Sequence, residues 1–290
     1  MHKRIRSWMV AFFLASTLSL NGVVVAAETR SPLSIGLTAV FLDDQTSLLR
    51  EWQHYLEARL GRPVRFVQRQ TYREITEMLL DNQIDVAWIC GFPYVRYPEQ
   101  LRLLAVPLFE GKPLYRAYLI VPAADTKTQS LFDLKDSVFA FSDPDSNSGY
   151  LVPQVTLVRA GFEPRWFFKR TFFTWAHRDV VRAVAEGVAN GGSVDGYVWE
   201  TLRRDQPELV ARTRVVNKSE YFGFPPLVAR ASLDGELFEA VRHELIGMAA
   251  NPAGKRLLER LNLDGFVAGK PGLFDAIREA FVEVENGRPG

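Results

Sequence analysis

Residues 84–89, IDVAWI, form a nearly uninterrupted apolar run, and the turn-forming residues 81–83, DNQ, come directly before it. A short strand that is apolar at almost every position is buried on both faces, which is typical of parallel sheets. Upstream of this run, Thr71 and Glu74 form a capping-box pattern, which predicts that a short helix begins there. This helix and the buried strand that follows it indicate an α/β fold.

The alternation of strand and helix extends along the chain in both directions and starts a second time at residue 138. The predicted strands cover residues 33–37, 64–67, 84–89, 138–142, 168–174, 194–198 and 227–229, and the predicted helices begin at Asp43 or Asp44, at Thr71, at Ser148, at Asp179 and near Glu236 and Phe274. Two α/β series with a final segment left over predict two lobes, joined by two extended crossings near residues 115–121 and 222–228. Two crossings at one place form a hinge, and the cleft lies between the lobes. We therefore place lobe 1 at residues 28–116 and 223–290, and lobe 2 at residues 117–222.

Composition excludes several classes of protein. The 290 residues are 47% hydrophobic and 24% charged, which argues against disorder. The formal net charge of +1 gives no indication of a nucleic-acid partner. The four histidines and one cysteine do not have the spacing of a zinc site, and we predict neither a metal nor a cofactor. The sequence also contains no phosphate-binding Walker loop, no nucleophile elbow and no dinucleotide fingerprint.

The N-terminus has the pattern of an export signal. Residues 2–6, HKRIR, are basic, residues 8–20 are mostly apolar, and residues 25–27, VAA, are small where a signal peptidase cuts. We predict that residues 1–27 are a signal peptide and that the mature chain is periplasmic, with no membrane insertion after cleavage.

Residues 143–150, DPDSNSGY, form the turn between a predicted strand and a predicted helix, and we call them the oxyanion turn. The start of a helix leaves backbone N–H groups unpaired and carries a positive dipole, and Ser146, Asn147 and Ser148 add polar side chains. Such a turn at the carboxyl end of a strand is where α/β proteins bind anionic ligands. The alternative is that a serine simply caps an ordinary surface helix.

Four segments, in order, resemble the PhnD-like family, the periplasmic phosphate-, phosphite- and phosphonate-binding proteins of ABC transporters. The first is the oxyanion turn with its continuation, residues 143–153, DPDSNSGYLVP. The others are the helix start at Thr71 and Tyr72, the strand followed by His177, and residues 189–197, ANGGSVDGY, which contain Asp195. The similarity extends over residues 33–265.

The resemblance implies a type II-like periplasmic-binding-protein fold, a small oxyanion ligand, an ABC permease as partner and no enzymatic activity. It also implies that the oxyanion turn, Tyr72 and His177 donate to ligand oxygens, with help from the backbone near Gly149. Asp195 would accept a hydrogen bond from a protonated oxygen or an ammonium group of the ligand, because a carboxylate repels a bare oxyanion. The complete set of predicted ligand-binding residues is Tyr72, Cys90, Gly91, Tyr94, Ser146, Asn147, Ser148, Gly149, Tyr150, His177 and Asp195.

Cys90 departs from the glycine-rich loop that is typical of this family. A subset of the family consists of arsenite-binding proteins that use a lone cleft cysteine and signal to a membrane histidine kinase. Cys90 could therefore be an arsenic ligand, because trivalent arsenic prefers sulfur. It could equally pack beneath the loop or line the cleft without reacting. An enzyme is disfavoured, because no second group is placed by the sequence to act as a base for Cys90. Tyr94 could shape the pocket or cap the core.

Overall fold

The computed structural model describes residues 31–38 and 46–287 and has a mixed α/β fold. The strands are β1 (Leu33–Leu37), β2 (Val64–Gln68), β3 (Val86–Trp88), β4 (Leu101–Leu108), β5 (Leu114–Tyr115), β6 (Ala117–Pro122), β7 (Val138–Phe141), β8 (Arg170–Phe173), β9 (Gly191–Asp195), β10 (Thr213–Lys218), β11 (Phe222–Gly223), β12 (Leu227–Arg230) and β13 (Gly265–Val267). The predicted signal peptide and the predicted helix start at Asp43 or Asp44 lie outside the described residues.

The helices lie between these strands. They are α1 (Thr46–Leu60), α2 (Tyr72–Leu80), α3 (Gly91–Arg96), α4 (Val152–Arg159), α5 (Pro164–Phe167), α6 (His177–Ala185), α7 (Gly196–Asp205), α8 (Pro207–Val210), α9 (Gly235–Ile246), α10 (Pro252–Leu261) and α11 (Asp275–Asn286). A π-helical turn, Asn147–Leu151, leads into α4, and short 3-10 turns occur at Leu131–Leu134, Gly247–Ala250 and Pro271–Phe274. Within residues 31–38 and 46–287, no helix is long and apolar enough to cross a membrane.

Two large sheets contain most of the strands. The first has the order β13-β4-β12-β3-β1-β2, and its strands β3, β1 and β2 run parallel. The second has the order β10-β6-β9-β7-β8, and its strands β9, β7 and β8 run parallel. The first sheet takes its strands from residues 33–108 and 227–267, and the second takes its strands from residues 117–218. The predicted α/β fold with two lobes is confirmed.

The two crossings between the sheets pair with each other. Strands β5 and β11 form a small antiparallel ribbon in which Tyr115 faces Phe222 and Leu114 faces Gly223. Both extended crossings of the predicted hinge therefore lie side by side. This ribbon places Tyr115 between the two sheets, and its side chain is buried there.

The buried run at residues 84–89 has the predicted environment. Val86, Ala87 and Trp88 are fully buried, and the Trp88 ring lies edge-on to Trp52 of α1 with 6.0 Å between the ring centroids. On the sheet, β3 pairs in parallel with β1 and in antiparallel with β12. Burial from both faces and pairing on both edges explain why this stretch tolerates almost no polar residue.

The strand predicted at residues 194–198 is wrong in its bounds. Strand β9 covers Gly191–Asp195 instead, and α7 begins at Gly196. The carboxylate of Asp195 accepts a 2.8 Å hydrogen bond from the Tyr197 N–H and so caps α7, which ends the strand. A Cβ at Gly192 would lie 2.4 Å from the Cγ1 of Val180 in α6. The sequence predicts that Gly191 and Gly192 end the helix that begins at Asp179. In the structure α6 ends at Ala185 and Gly192 lies in β9, where it allows α6 to pack closely.

Candidate ligand-binding site

The main predicted site residues lie at the carboxyl ends of parallel strands. Tyr72 begins α2 after β2, and Cys90 follows β3 in the first sheet. In the second sheet the oxyanion turn follows β7, His177 begins α6 after β8, and Asp195 is the last residue of β9. The carboxyl edge of a parallel sheet is the usual position of a ligand in α/β proteins.

Groups from the two sheets are in direct contact at this place. The Tyr72 N–H donates to Asp143 Oδ2 over 3.0 Å, and the Asn147 N–H donates to the Sγ of Cys90 over 3.2 Å. The Asn147 side-chain amide donates to the Tyr115 hydroxyl of the ribbon over 2.9 Å. The first sheet, the ribbon and the oxyanion turn therefore surround one small buried region.

A chain of hydrogen bonds orients the Ser146 hydroxyl. His177 Nδ1 accepts the Asp195 N–H over 3.0 Å, so the ring proton lies on Nε2, which is 3.4 Å from Ser146 Oγ. The same oxygen accepts the Gly149 N–H over 3.0 Å as the cap of the π-helical turn. Burial lowers the pKa of His177 to about 3, so its ring is neutral. Because both lone pairs of Ser146 Oγ accept protein N–H groups, its own O–H remains available to donate to a ligand.

Replacement of Ser146 by alanine is expected to lower both stability and affinity. Losing the helix cap costs about 1 kcal/mol of unfolding free energy. Losing one hydrogen bond to a charged ligand lowers the affinity by about tenfold to a hundredfold. Chemical denaturation and titration calorimetry measure the two effects.

Ser130→Ala is the matched control, because Ser130 also precedes a helical turn, Leu131–Leu134, and its hydroxyl donates to Asp133 Oδ2 of that turn over 3.0 Å. The control should lose a similar amount of stability and bind ligand as the wild type does. Equal affinities of the Ser146 and Ser130 variants would contradict the role of Ser146 at the site.

Buried polar atoms without a partner accompany this network. The Tyr72 hydroxyl, Ser142 Oγ and Asn147 Oδ1 have no hydrogen-bond partner among the described residues, and all three residues are fully buried. Leaving a buried polar group unpaired costs about 1–3 kcal/mol. Three such atoms around one turn indicate a place where a polar ligand supplies the missing partners.

The buried carboxyl groups of the site hold their protons more tightly than usual. Burial raises the pKa of Asp195 to about 7, although the N–H groups of Tyr197 and Val198 donate to it. Burial also raises the pKa of Asp143 to about 6, against the opposing effect of the Tyr72 and Asp145 N–H groups. A carboxyl group that titrates near neutrality can donate to an oxyanion when protonated and can accept from a ligand O–H or ammonium group when ionised.

The raised pKa of Asp195 predicts a pH dependence of stability that Asp195→Asn removes. The folded chain binds this proton more tightly than the unfolded chain does, so the stabilisation is complete below pH 3.8 and is lost as the pH rises to about 7. The free energy of unfolding of the wild type, minus that of the variant, should therefore fall over this interval and stay level above it. Urea denaturation at a series of pH values tests this, and a difference that rises with pH would contradict it.

A second carboxylate of the oxyanion turn forms ion pairs with the first lobe. Asp145 accepts from Arg96 Nη1 of α3 over 2.9 Å and lies 3.4 Å from Arg73 Nε of α2. The Asp145 side chain is mostly buried, whereas 62% of the Arg73 side chain is exposed. The oxyanion turn thus contacts α2 and α3 through ion pairs near the surface, in addition to the hydrogen bonds inside the buried region.

Three predicted residues contact apolar side chains instead of the polar groups of the site. The Tyr94 ring packs edge-on against Phe274, with 5.0 Å between centroids, and a Cβ at Gly91 would meet Ile277 and Phe274. The Tyr150 ring packs against Phe141 and Phe173. The Tyr94 and Tyr150 side chains and the backbone of Gly91 therefore belong to the packing around the site, and only the backbone of Tyr150 is part of the oxyanion turn.

Three residues of the buried region are absent from the sequence-based set. Tyr115 holds the Asn147 amide, Asp143 accepts the Tyr72 N–H, and Ser142 carries an unpaired hydroxyl. Ser142 is the last residue of the predicted strand and Asp143 is the first residue of the oxyanion turn, so both could have been included as site residues from the sequence. Tyr115 lies in a crossing, where the sequence indicates only an extended chain.

The fold is that of a substrate-binding protein with two lobes, and the candidate site lies where groups of the two sheets are in contact. Residues 35–274 match the family described as ABC transporter, phosphonate, periplasmic substrate-binding protein, and the chain belongs to this family. Family membership makes it a binding protein and not an enzyme, and it favours transport over the alternative of a sensor for a histidine kinase.

Characterised relatives agree with this assignment. The phosphonates-binding periplasmic protein of Escherichia coli strain K12 is 26% identical over 84% of this chain and 74% of its own length. The phosphate-import protein PhnD of Mycolicibacterium smegmatis is 29% identical over 73% of this chain and 70% of its own length. Among solved structures, a binding-protein component of an ABC phosphonate transporter from Pseudomonas aeruginosa aligns with a TM-score of 0.81 at 24% identity, over 88% of this chain and 87% of that one. This last likeness establishes the shared fold.

Proposed function

We propose that this chain binds a small tetrahedral oxyanion of phosphorus (phosphate, phosphite or a phosphonate) and delivers it to an ABC permease. The observation that carries the proposal is the set of unpartnered buried atoms, Tyr72 Oη, Ser142 Oγ and Asn147 Oδ1, around the oxyanion turn. Their hydrogen-bonding needs match a ligand with several oxygens, which can accept from hydroxyl groups and donate from a protonated oxygen.

We propose two groups of site residues: those that contact the ligand and those that support the residues in contact with it. Tyr72, Ser142, Ser146, Asn147, Ser148 and Asp195 contact the ligand with their side chains. His177 acts through Ser146, and the backbone of Gly149 and Tyr150 shapes the turn. The neutral imidazole of His177 keeps Ser146 oriented, while Asp195 selects a ligand that carries a proton or an ammonium group. Cys90 borders the site, and Gly91 and Tyr94 support its wall.

The lobe boundaries and the export signal are part of the same proposal. Lobe 1 comprises residues 28–116 and 223–290, and lobe 2 comprises residues 117–222; the division is supported by the separate strand sets of the two sheets. Residues 1–27 act as a signal peptide, which is supported by their basic and apolar pattern and by the periplasmic family. The transporter's permease is the partner, and no nucleic acid or cofactor takes part.

A calorimetric panel tests the proposed function. Purified protein is titrated with phosphate, phosphite, methylphosphonate, 2-aminoethylphosphonate, sulfate and arsenite. At least one phosphorus oxyanion should bind in a one-to-one complex and raise the melting temperature, because a ligand that binds only the folded state stabilises it. Binding of arsenite with no response to any phosphorus compound would contradict the proposal.

A further inference from the structure

The sulfur of Cys90 accepts a hydrogen bond from a backbone N–H group of the oxyanion turn, and this N–H could otherwise donate to a ligand. The Asn147 N–H, the first of the π-helical turn, donates to Sγ over 3.2 Å. The Gly149 N–H donates to Ser146 Oγ over 3.0 Å. Two N–H groups at the start of this turn are therefore engaged by protein side chains, one of them by a sulfur from the other lobe.

The Cys90 thiol is a neutral and weakly polar group in this position. Only 3% of the residue is exposed, and burial raises its pKa to about 12, although the Phe92 and Asn147 N–H groups donate to the sulfur. A thiol is a weak donor and a weak acceptor, and it packs as a small hydrophobic group. The thiol therefore forms a much weaker hydrogen bond with a ligand oxygen than a hydroxyl or a backbone N–H does.

Two residues near the oxyanion turn, Tyr72 and Asn147, carry buried polar atoms without a partner among the described residues. Tyr72 is fully buried and its hydroxyl has no partner among the described residues. Burial raises the pKa of Tyr72 well above its usual value, so the hydroxyl keeps its proton and can donate. Asn147, whose N–H donates to the sulfur, is also fully buried, and its side-chain Oδ1 has no partner among the described residues. The sulfur therefore contacts a residue whose hydrogen-bonding capacity a ligand can complete.

We propose that Cys90 is a specificity-determining residue that favours phosphorus oxyanions with one carbon or hydrogen substituent over those with four oxygens. This inference rests on the proposed function. A fourth oxygen placed against the sulfur loses its hydration and gains no strong hydrogen bond, because the thiol is weakly polar and the nearby Asn147 N–H is already engaged. A methyl group or a hydrogen at that position makes an ordinary van der Waals contact with the sulfur.

The ratio of two affinities tests the role of Cys90. Calorimetry compares phosphate and methylphosphonate at a pH below the second ionisation of both, where each is a monoanion that carries an O–H, so that neither the charge nor the proton that Asp195 selects differs. The wild type should bind methylphosphonate about tenfold to a hundredfold more tightly, the factor expected for one unsatisfied oxygen. Cys90→Ser supplies a strong O–H donor and should bring the two affinities close to equality. Cys90→Ala frees the Asn147 N–H and should also reduce the preference.

A purely structural role of Cys90 would leave this ratio unchanged, because a distorted site loses affinity for both ligands alike. Melting temperatures of the two variants report any loss of stability separately. A wild type without preference, or a Cys90→Ser variant with the wild-type ratio, would overturn the inference while the proposed function stands. Failure of the wild type to bind any phosphorus oxyanion would refute the proposed function and this inference together.

Discussion

Replacing Gly149 by alanine is expected to reduce ligand affinity by about a hundredfold or more. A Cβ at this position would lie 1.9 Å from Ser142 Oγ, 2.8 Å from Ser142 Cβ and 3.0 Å from His177 Cε1. The oxyanion turn must shift to relieve these contacts, and a shift displaces more than one ligand-facing donor at the same time. Overpacking in a buried place also costs about 1–3 kcal/mol of unfolding free energy. Calorimetry and chemical denaturation measure the two losses.

A matched control and a rescue separate this effect from a general intolerance of alanine. Gly235→Ala adds the same methyl group at the first residue of α9, where no atom lies within 4 Å of the added Cβ, and it should leave binding unchanged. Adding Ser142→Gly to the Gly149 variant removes the two shortest contacts and should restore part of the stability. Normal binding by the single Gly149→Ala variant would contradict the tight packing of the oxyanion turn.

Replacing Tyr72 by phenylalanine is expected to change stability and affinity in opposite directions. The hydroxyl is buried without a partner in the described residues, so its removal should raise the unfolding free energy of the ligand-free protein by about 1 kcal/mol or more. The same hydroxyl donates to the ligand in the proposed complex, so its loss should lower the affinity by about tenfold to a hundredfold. Denaturation without ligand and calorimetry with it give the two values.

Tyr94→Phe is the control, because it removes the hydroxyl of a tyrosine whose ring packs on Phe274. Its affinity should equal that of the wild type. If Tyr72→Phe destabilised the ligand-free protein and left the affinity unchanged, its hydroxyl would have a structural partner and no role in binding.

Much of the fold could be predicted because its strongest signals are local. The apolar run at residues 84–89 and the capping box at Thr71 and Glu74 depend on neighbouring residues alone. The capping box forms as predicted, and the run contains the buried strand β3, which is shorter than predicted and covers Val86–Trp88. The strand predicted at residues 194–198 was wrong because glycine has two uses, ending a helix or allowing close packing. Only the position of Val180 in space shows that Gly192 serves the second.

The site could be predicted in part, for a related reason. The positions of residues at the end of a strand or just after it, such as Asp195 and His177, are set by the topology of the sheet. Tyr115 could not be found in this way, since its contact with Asn147 depends on how the two crossings pair. The direction of the Tyr150 ring likewise follows from an aromatic cluster with Phe141 and Phe173 that no local pattern reveals.

The ion pairs of Asp145 have a consequence for how occupancy depends on the surrounding medium. Separation of the lobes would break its contacts with Arg73 and Arg96, so these ion pairs favour the arrangement in which the two lobes are in contact. The apparent affinity of a binding protein rises with the fraction of molecules that are in the binding-competent conformation. Interactions that favour this conformation therefore raise the affinity. Because Arg73 is largely exposed, dissolved salt weakens this contribution, and ligand affinity should fall as the ionic strength rises.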